Sequence, residues 1–307
     1  MGLSVMTIPS PTRRSAPGQV TKLLERLAFQ VSGTRHSHDP EAIHDLRVAI
    51  RRFTQSLTVF KPCFVGKELK KIRRCLSHIM DLAGEVRDCD IALEYVSELR
   101  SPETAALETA FSSRRRQAES ALLASLRDWV MRGTSSKWRT ALEPVEGAMN
   151  LPCYKVDTAA QSAVPKTGRD FFKSGNRAAG SESSAGELHH FRIAAKKFRY
   201  TLELFAPFYG PAARDWLDRI TRLQSLLGRI NDCRTVRRMV SGLDDDGRIE
   251  AALKKKQRRK TLEFRRLWAD EFSSTAAKHW MRALERPPNK PAGRARIAQA
   301  AGMAAGA

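Results

Sequence analysis

The sequence predicts an all-α protein. Apolar residues recur every three or four positions over most of the chain, and the alternation typical of β-strands is scarce. Glycine and proline cluster in a few places and leave long uninterrupted segments between the clusters. One basic helical segment also occurs twice, which indicates an internal duplication.

The chain carries a large excess of positive charge. Its 307 residues include 54 Lys plus Arg against 33 Asp plus Glu, a formal net charge of +21 at pH 7. Such an excess repels itself in the folded state, so it favours a polyanionic partner. Nucleic acid, an acidic membrane surface and inorganic polyphosphate all meet this requirement. The apolar content of 42% is enough for a hydrophobic core.

The sequence further indicates a cytoplasmic protein. It has no apolar run of about 18 residues that would predict a membrane span, and its first residues lack the apolar centre of a secretory signal. Its five cysteines form no C-x-x-C pair, so we expect reduced thiols that mostly pack in the core. Residues 1–17 and 287–307 are predicted to be flexible.

The first strongly patterned segment is IHDLRVAIRRFTQSLTVFKP, residues 43–62. At about 100° per residue, a single stripe holds its apolar side chains Leu46, Ile50, Phe53, Leu57 and Phe60. His44, Arg47 and Arg51 lie nearly opposite this stripe, and Arg52 follows them. The pattern predicts an amphipathic helix with a cationic ridge. Taken alone, such a ridge is usually a solvated surface.

A second helix with a basic ridge is predicted in GKELKKIRRCLSHIMDLAGEVRDCD. Its cationic face comprises Lys67, Lys70, Lys71, Arg74 and His78. The opposite face holds Leu69, Ile72, Leu76, Met80 and Ala83, which we expect to be in the core.

A third basic helix, FSSRRRQAESALLASL, places Arg115 within an apolar stripe. Late in the chain, LKKKQRRKTLEFRRLW does the same with Lys256 and Lys260. Cations in such positions are not expected to stay unpaired in a dry core. They either extend to the edge of the core or line a solvated cavity that receives an anion.

The segment 144–186 is predicted to be a loop or linker, with short helical pieces at most. It is rich in proline and glycine and contains the cluster SESS. It separates a first half, residues 18–143, from a second half, residues 187–286.

The second half repeats the basic helix. Its segment LHHFRIAAKKFRYTLELFAP matches residues 43–62 at seven of twenty positions, at a constant offset of 145. His189 and Arg192 correspond to His44 and Arg47. Lys196 and Lys197 take the places of Arg51 and Arg52, so the cationic ridge occurs twice. The interpretation of the ridge as a solvated surface becomes less favoured.

The following helix of this half has a thinner basic ridge that includes Arg222. Its segment LLGRINDCRT corresponds to LAGEVRDCDI in the first half.

Together these segments resemble a known family, the CHAD or conserved histidine α-helical domain. The likeness rests on the duplicated His-x-x-Arg-x-x-x-[Arg/Lys]-[Arg/Lys] helix, on the LAGEVRDCDI and LLGRINDCRT pair and on the third basic helices, over roughly residues 20–285. The resemblance implies two pseudo-symmetric four-helix units around a central basic channel, within a domain of residues 18–286. Proteins of this family bind inorganic polyphosphate, and bacterial members can localise to polyphosphate granules.

The resemblance also implies a set of polyphosphate ligands on the basic faces of both halves. His44 and His189 would act as neutral donors near pH 7 and as cations below it. The predicted ligands are His44, Arg47, Arg51, Arg52, Lys67, Lys71, Arg74, His78, Arg115, His189, Arg192, Lys196, Lys197, Arg222, Lys256 and Lys260. No cofactor and no metal ligand are predicted.

A metal-dependent phosphoryl-transfer enzyme is a less favoured alternative. Asp88 and Asp90 are hard oxygen ligands of the kind that Mg²⁺ prefers. The second copy has Arg234 where the first has Asp90, and the chain contains no P-loop, H-E-x-x-H or G-x-S-x-G motif. We therefore predict a binding protein without catalytic residues, in which these carboxylates have a structural role.

Nucleic-acid binding is the stronger alternative, since any cationic groove binds some DNA or RNA at low salt. However, aromatic residues make up only 7% of the chain. Those near the ridges fall on the apolar side, which leaves no stacking surface for single strands. A third interpretation, an adaptor that tethers a protein partner to granules through its basic C-terminal tail, stays open. No membrane partner is predicted.

Overall fold

The computed structural model describes residues 15–37, 39–98, 104–243 and 247–286. Ten α-helices and several short 3₁₀ turns make up this part of the chain, and no strand occurs in it. The helices are α1 (Ala16–Thr34), α2 (Pro40–Val59), α3 (Gly66–Ser97), α4 (Thr104–Met131), α5 (Thr134–Ala141), α6 (Val156–Ala179), α7 (Ala185–Phe205), α8 (Pro211–Val240), α9 (Arg248–Glu271) and α10 (Ser274–Leu284). The prediction of an all-helical fold is therefore confirmed. Over the same residues, no helix has the length and apolar character needed to cross a membrane.

Local sequence sets the starts of α2 and α7, the two helices that carry the similar basic segments. At α2, the Asp39 carboxylate accepts a hydrogen bond from the backbone N–H of Glu41 at 2.9 Å, and Pro40 occupies the first helical position. At α7, Ser184 and Glu187 form a reciprocal capping box. Each cap satisfies donors that the first helical turn would otherwise leave without a partner.

The predicted apolar stripe of α2 is buried, and it packs towards the second half of the chain. Leu46, Ile50, Phe53, Leu57 and Phe60 are all at most 1% exposed. α2 packs against its counterpart α7, where the rings of Phe60 and Phe205 meet edge to face with centroids 6.1 Å apart. The amide of Gln55 donates a buried hydrogen bond of 2.8 Å to the hydroxyl of Thr201.

Two sets of four helices show the same order of packing, and the second set includes α6 from the segment predicted to be a linker. In the first set α2 packs against α1 and α3, and α3 against α4; in the second set α7 packs against α6 and α8, and α8 against α9. α3 also packs against α8, so the four helices α2, α3, α7 and α8 form the centre. This order is compatible with an internal duplication, which stays a prediction.

The loop or linker predicted for residues 144–186 is wrong over most of its length, because α6 occupies Val156–Ala179. The glycines that suggested a break instead allow close packing within a helix. A Cβ on Gly175 would lie 2.0 Å from the Trp268 ring, and one on Gly168 would lie 3.0 Å from Leu284. Pro165 lies inside the helix, which continues past it.

The predicted flexible ends fall mostly outside the described residues. The N-terminal prediction extended two residues too far, because α1 begins at Ala16, with Pro17 in its first turn. Proline is favoured there since its missing N–H has no helical partner at that position. The predicted C-terminal tail, residues 287–307, lies wholly outside the described part of the chain.

Candidate anion-binding site

Four half-buried cations lie at the centre of the molecule, two on α2 and two on α7. They are Arg47, Arg51, Arg192 and Lys196, all of them predicted ligands. Burial, followed by repulsion among these cations, lowers the pKa values of Arg47 and Lys196. Among the described residues, no carboxylate forms an ion pair with any of the four within 4.0 Å. We call these four residues the central cluster.

Arg47 packs across the helix interface against α3. Its Nη1 lies 3.5 Å from the backbone carbonyl of Met80, and a Cβ on Gly84 would approach that same nitrogen to 3.3 Å. Burial, followed by repulsion from Arg51, lowers the pKa of Arg47 to about 10. Arg47 therefore stays charged at neutral pH although it is held close to the protein interior.

Lys196 is the most strongly perturbed member of the cluster. Burial, followed by repulsion from Arg51, Arg192 and Arg47, lowers its pKa from 10.5 to about 6. The pKa of Arg192 is lowered as well, mainly by burial, and Asp232 partly offsets that effect. The centre thus holds more positive charge than the protein itself neutralises.

Two carboxylates, Asp88 on α3 and Asp232 on α8, lie near the cluster at positions that correspond in the two halves. Burial raises the pKa of Asp88, although Arg47 favours its charged form. Burial also raises the pKa of Asp232 to about 6, although Arg192 favours its charged form. At neutral pH these two acids offset only part of the charge of the three arginines, since Lys196 is then mostly neutral.

The two histidines lie at the exposed edge of the centre. His44 and His189 are both exposed, each at the fifth position of its helix. The pKa of His189 is lowered by partial burial, then by repulsion from Arg192 and His190. Without a bound anion, His189 is therefore neutral at pH 7.

Arg52 differs from its neighbour Arg51. Its guanidinium donates to Glu203 at 2.7 Å, and the same carboxylate accepts from Arg199 at 2.8 Å. Arg52 also lines a surface trough with Lys22 and Arg26 of α1, apart from the groove that Arg51 lines. Its predicted role as a ligand stays a prediction, but the structure does not bring it into the central cluster.

Five further predicted ligands form ion pairs with carboxylates away from the cluster. Arg115 contacts Asp90 at 2.6 Å and Glu119 at 3.1 Å. The remaining pairs are Lys71 with Glu68, Arg222 with Glu271, Lys256 with Glu98 and Lys260 with Glu263, at 2.6–2.8 Å. Lys67, Arg74, His78 and Lys197 are exposed. The structure thus separates the predicted set into a central group and a peripheral group.

Sequence reasoning did not include Arg87 and Arg73 among the ligands. Arg87 acts on the pKa values of both Arg47 and Asp232, so it belongs to the surroundings of the cluster. The spacing from Met80 and Gly84 to Arg87 places all three on one helical face, which is the signal that could have identified it. Arg73 lines a groove beside the cluster.

The acidic pair considered for Mg²⁺ does not act as one unit. One oxygen of Asp90 accepts from Arg115, while Asp88 faces the cations of the central cluster. Within the described ranges, no group of three or more His, Cys, Asp or Glu residues is placed to hold a metal ion.

Comparison with known proteins identifies related sequences and structures. A family model described as CHAD domain matches residues 18–241. A crystal structure of the CHAD domain from the plant Ricinus communis is similar at a TM-score of 0.64 and 20% identity, covering 89% of this chain and 92% of that one. PptA from Streptomyces chartreusis is similar at a TM-score of 0.54 and 15% identity, covering 86% and 99%. No curated protein matches the chain.

Proposed function

Since the chain belongs to the CHAD domain family, we propose that it binds inorganic polyphosphate through the central cluster. The observation that carries this proposal is that Arg47, Arg51, Arg192 and Lys196 are half-buried and that no carboxylate of the described chain forms an ion pair with them. A buried charge without a partner destabilises the folded state. A bound polyanion would supply the missing negative charge.

The residue types fit a repeating ligand. Arginine holds two phosphate oxygens through its planar guanidinium, and lysine acts as a point charge on a flexible stem. A mixed array therefore accepts a phosphate chain in several registers and reads no bases. In this proposal α2, α3, α7 and α8 line a basic channel, and the two halves of a domain spanning residues 18–286 contribute equivalent helices.

The proposal describes a binding protein and not an enzyme. Asp90, which a Mg²⁺ site would need, forms a partly buried ion pair with Arg115.

Nucleic acid is the second candidate ligand, because attraction to phosphate does not depend on sequence. We expect only weak binding of nucleic acid at low salt. In the cell, the proposed activity would place the protein in the cytoplasm at polyphosphate granules. As an extension of the proposal, the basic C-terminal tail would tether a protein partner to these granules.

The test removes the central charges together. Replacing Arg47, Arg51, Arg192 and Lys196 with alanine is expected to lower the affinity for long-chain polyphosphate at least about a hundredfold, since a hydrogen bond to a charged group contributes about 1.5–3 kcal/mol. Calorimetric titration measures the affinity, and circular dichroism with thermal unfolding checks the fold.

A matched control removes the same number of charges elsewhere. Arg132, Arg139, Arg169 and Arg219 are surface residues, each paired with a carboxylate. Their joint replacement with alanine is expected to change the affinity less than about fivefold, since surface ion pairs contribute little and distant charges are screened. An equal loss in both variants, or full binding by the central variant, would overturn the proposal.

A further inference from the structure

A groove of about 450 Å³ opens between α2, α3 and α7, directly beside the central cluster. It shares Arg51 and Lys196 with the cluster and adds Arg73 and Lys197. The described residues that line it include no Asp or Glu. The charged side chains that line the groove are therefore all basic, unlike those of the two hollows at α1, one of which contains Glu203 and the other Glu25 and Asp45.

Apolar side chains from all three helices also line this groove, namely Ile50, Leu76, Met80 and Ile193. Ile50 and Leu76 are at most 2% exposed, whereas Ile193 is 39% exposed and Met80 is half-buried. We call the apolar surface of Ile193 and Met80 the apolar wall. An inorganic phosphate chain has no apolar surface to place against such a wall. A ligand that combines phosphate with an organic body could use both the cations and the wall.

The groove also has polar lining residues that carry no charge. Thr54 and Ser77 supply hydroxyl groups to it. Arg73 donates through Nη2 to the carbonyl of Leu57 at 3.0 Å and to the Thr58 hydroxyl at 3.2 Å, while its buried Nε has no hydrogen-bond partner. An acyl chain would offer no hydrogen bond to the hydroxyl groups of Thr54 and Ser77, whereas a sugar could accept and donate hydrogen bonds there.

We propose that this groove binds nucleoside polyphosphates. The phosphates lie on Arg51 and Lys196, so the inference rests on the proposed function of the central cluster. The ribose lies beside Thr54 and Ser77. The flat base packs on Ile193 and on the thioether of Met80, a contact that sulfur makes favourably with aromatic rings. The volume lies within the range of about 300–1,000 Å³ that is usual for small-molecule sites.

The first test compares ATP with inorganic tripolyphosphate by calorimetric titration of the full chain without divalent metal. Tripolyphosphate has the same number of phosphates and more negative charge, so pure charge attraction predicts that it binds at least as tightly. The proposed contacts with base and ribose predict that ATP binds about tenfold more tightly, a difference of 1.4 kcal/mol. Equal or weaker binding of ATP would overturn the proposal.

The second test removes the apolar contacts without touching a cation. The double variant Met80→Ala, Ile193→Ser is expected to lose about tenfold in ATP affinity while its affinity for tripolyphosphate stays within twofold, in line with the loss of about 1.4 kcal/mol of apolar contact. The control Leu262→Ser changes a side chain that is 54% exposed on α9 and does not line the groove. An equal loss for both ligands would contradict the assignment of this wall to the base.

Two further ligands separate this proposal from the proposed function. Long-chain polyphosphate is titrated into the same samples. If it binds while ATP binds no more tightly than tripolyphosphate, only the nucleotide inference fails. If neither binds, the central cluster is not an anion site. Geranylgeranyl diphosphate that binds more tightly than ATP would replace the nucleotide with a lipid phosphate and overturn the proposal.

Discussion

The centre of the molecule and its outer helix pairs accommodate positive charge in different ways. Arg115 and Lys256 on the outer helices each contact a carboxylate, at 2.6 Å and 2.7 Å. Arg51 and Lys196 at the centre are also half-buried, but no carboxylate of the described chain pairs with them. The outer cations are neutralised within the protein, whereas the central cations have no such partner in the described chain and are the ones that we propose to bind an external anion. Burial of a cation therefore does not by itself identify a ligand-binding residue.

The largest expected difference between the two regions concerns stability. Arg115→Ala leaves Asp90 in a site that is 12% exposed and without its ion-pair partner. We expect the free energy of unfolding to fall by about 2 kcal/mol, below the 3–5 kcal/mol found for fully buried pairs. Denaturant unfolding measures this loss, and the affinity for polyphosphate should change less than twofold.

The matched control for Arg115 is Arg132→Ala. Arg132 forms a similar ion pair with an acid one turn away, but its side chain is 71% exposed. The expected loss is below about 0.5 kcal/mol. If Arg115→Ala abolished polyphosphate binding in a protein that stays folded, the division into a binding centre and a structural periphery would be wrong.

The next effect is a dependence of binding on pH. The pKa of Lys196 is about 6 in the free protein, so this amine is mostly neutral at pH 7.5. Polyphosphate would raise that pKa, and binding should therefore take up a proton and become up to about tenfold tighter per pH unit as pH falls from 8 to 6. Protonation of Asp232, whose pKa is also about 6, removes a negative charge and would further strengthen polyphosphate binding near pH 6.

Calorimetry in buffers of different ionisation enthalpy counts the protons taken up. Lys196→Met should reduce the uptake and weaken binding, while Lys197→Met, at the exposed neighbouring position, should leave the uptake unchanged. Binding that is equally tight from pH 6 to pH 8 would contradict a role for Lys196.

The same residue also links pH to the stability of the free protein. Unfolding returns Lys196 to its ordinary pKa of 10.5, so the unfolded chain binds more protons between about pH 6 and 10.5. The contribution of Lys196 to stability therefore rises with pH through this window. We expect Lys196→Met to unfold at a higher temperature than the wild type at pH 7, and by a smaller margin at pH 9.

The smallest effect compares corresponding glycines in the two halves. A methyl group at Gly84 would lie 3.3 Å from the Arg47 Nη1, whereas a methyl group at Gly228 would meet no atom within 4 Å. Gly84→Ala should displace the guanidinium and weaken polyphosphate binding about threefold. Neither substitution should lower the stability of its helix, because alanine is favoured over glycine in a helix by about 1 kcal/mol. Equal affinities for the two variants would mean that Arg47 does not contact the ligand.

Much of the fold could be predicted because helical periodicity records which face is buried. The apolar stripe of α2 is buried residue by residue as its spacing indicated. α6 could not be recognised in the same way, because Gly175 and Pro165 normally interrupt helices. Only the packing of Trp268 against Gly175, 93 residues apart in sequence, explains why a glycine is required there.

The site was harder to predict than the fold, because charge patterning does not show where the partners lie. Arg51 and Arg52 are adjacent and chemically identical, yet Glu203 from the other half pairs with Arg52 and not with Arg51. Likewise Asp90, 25 residues before Arg115, determines that this cation is neutralised. Such pairings depend on the tertiary structure and leave no local signal in the sequence.

The most direct test of the central claim is calorimetric titration across a salt series. Long-chain polyphosphate, single-stranded DNA and duplex DNA are compared at equal phosphate concentration. A site shaped for a phosphate chain predicts that polyphosphate still binds at salt concentrations that release both DNAs, since half-buried charges are screened less than exposed ones. Equal affinities that fall together as salt rises would show a diffuse basic surface and would contradict the account.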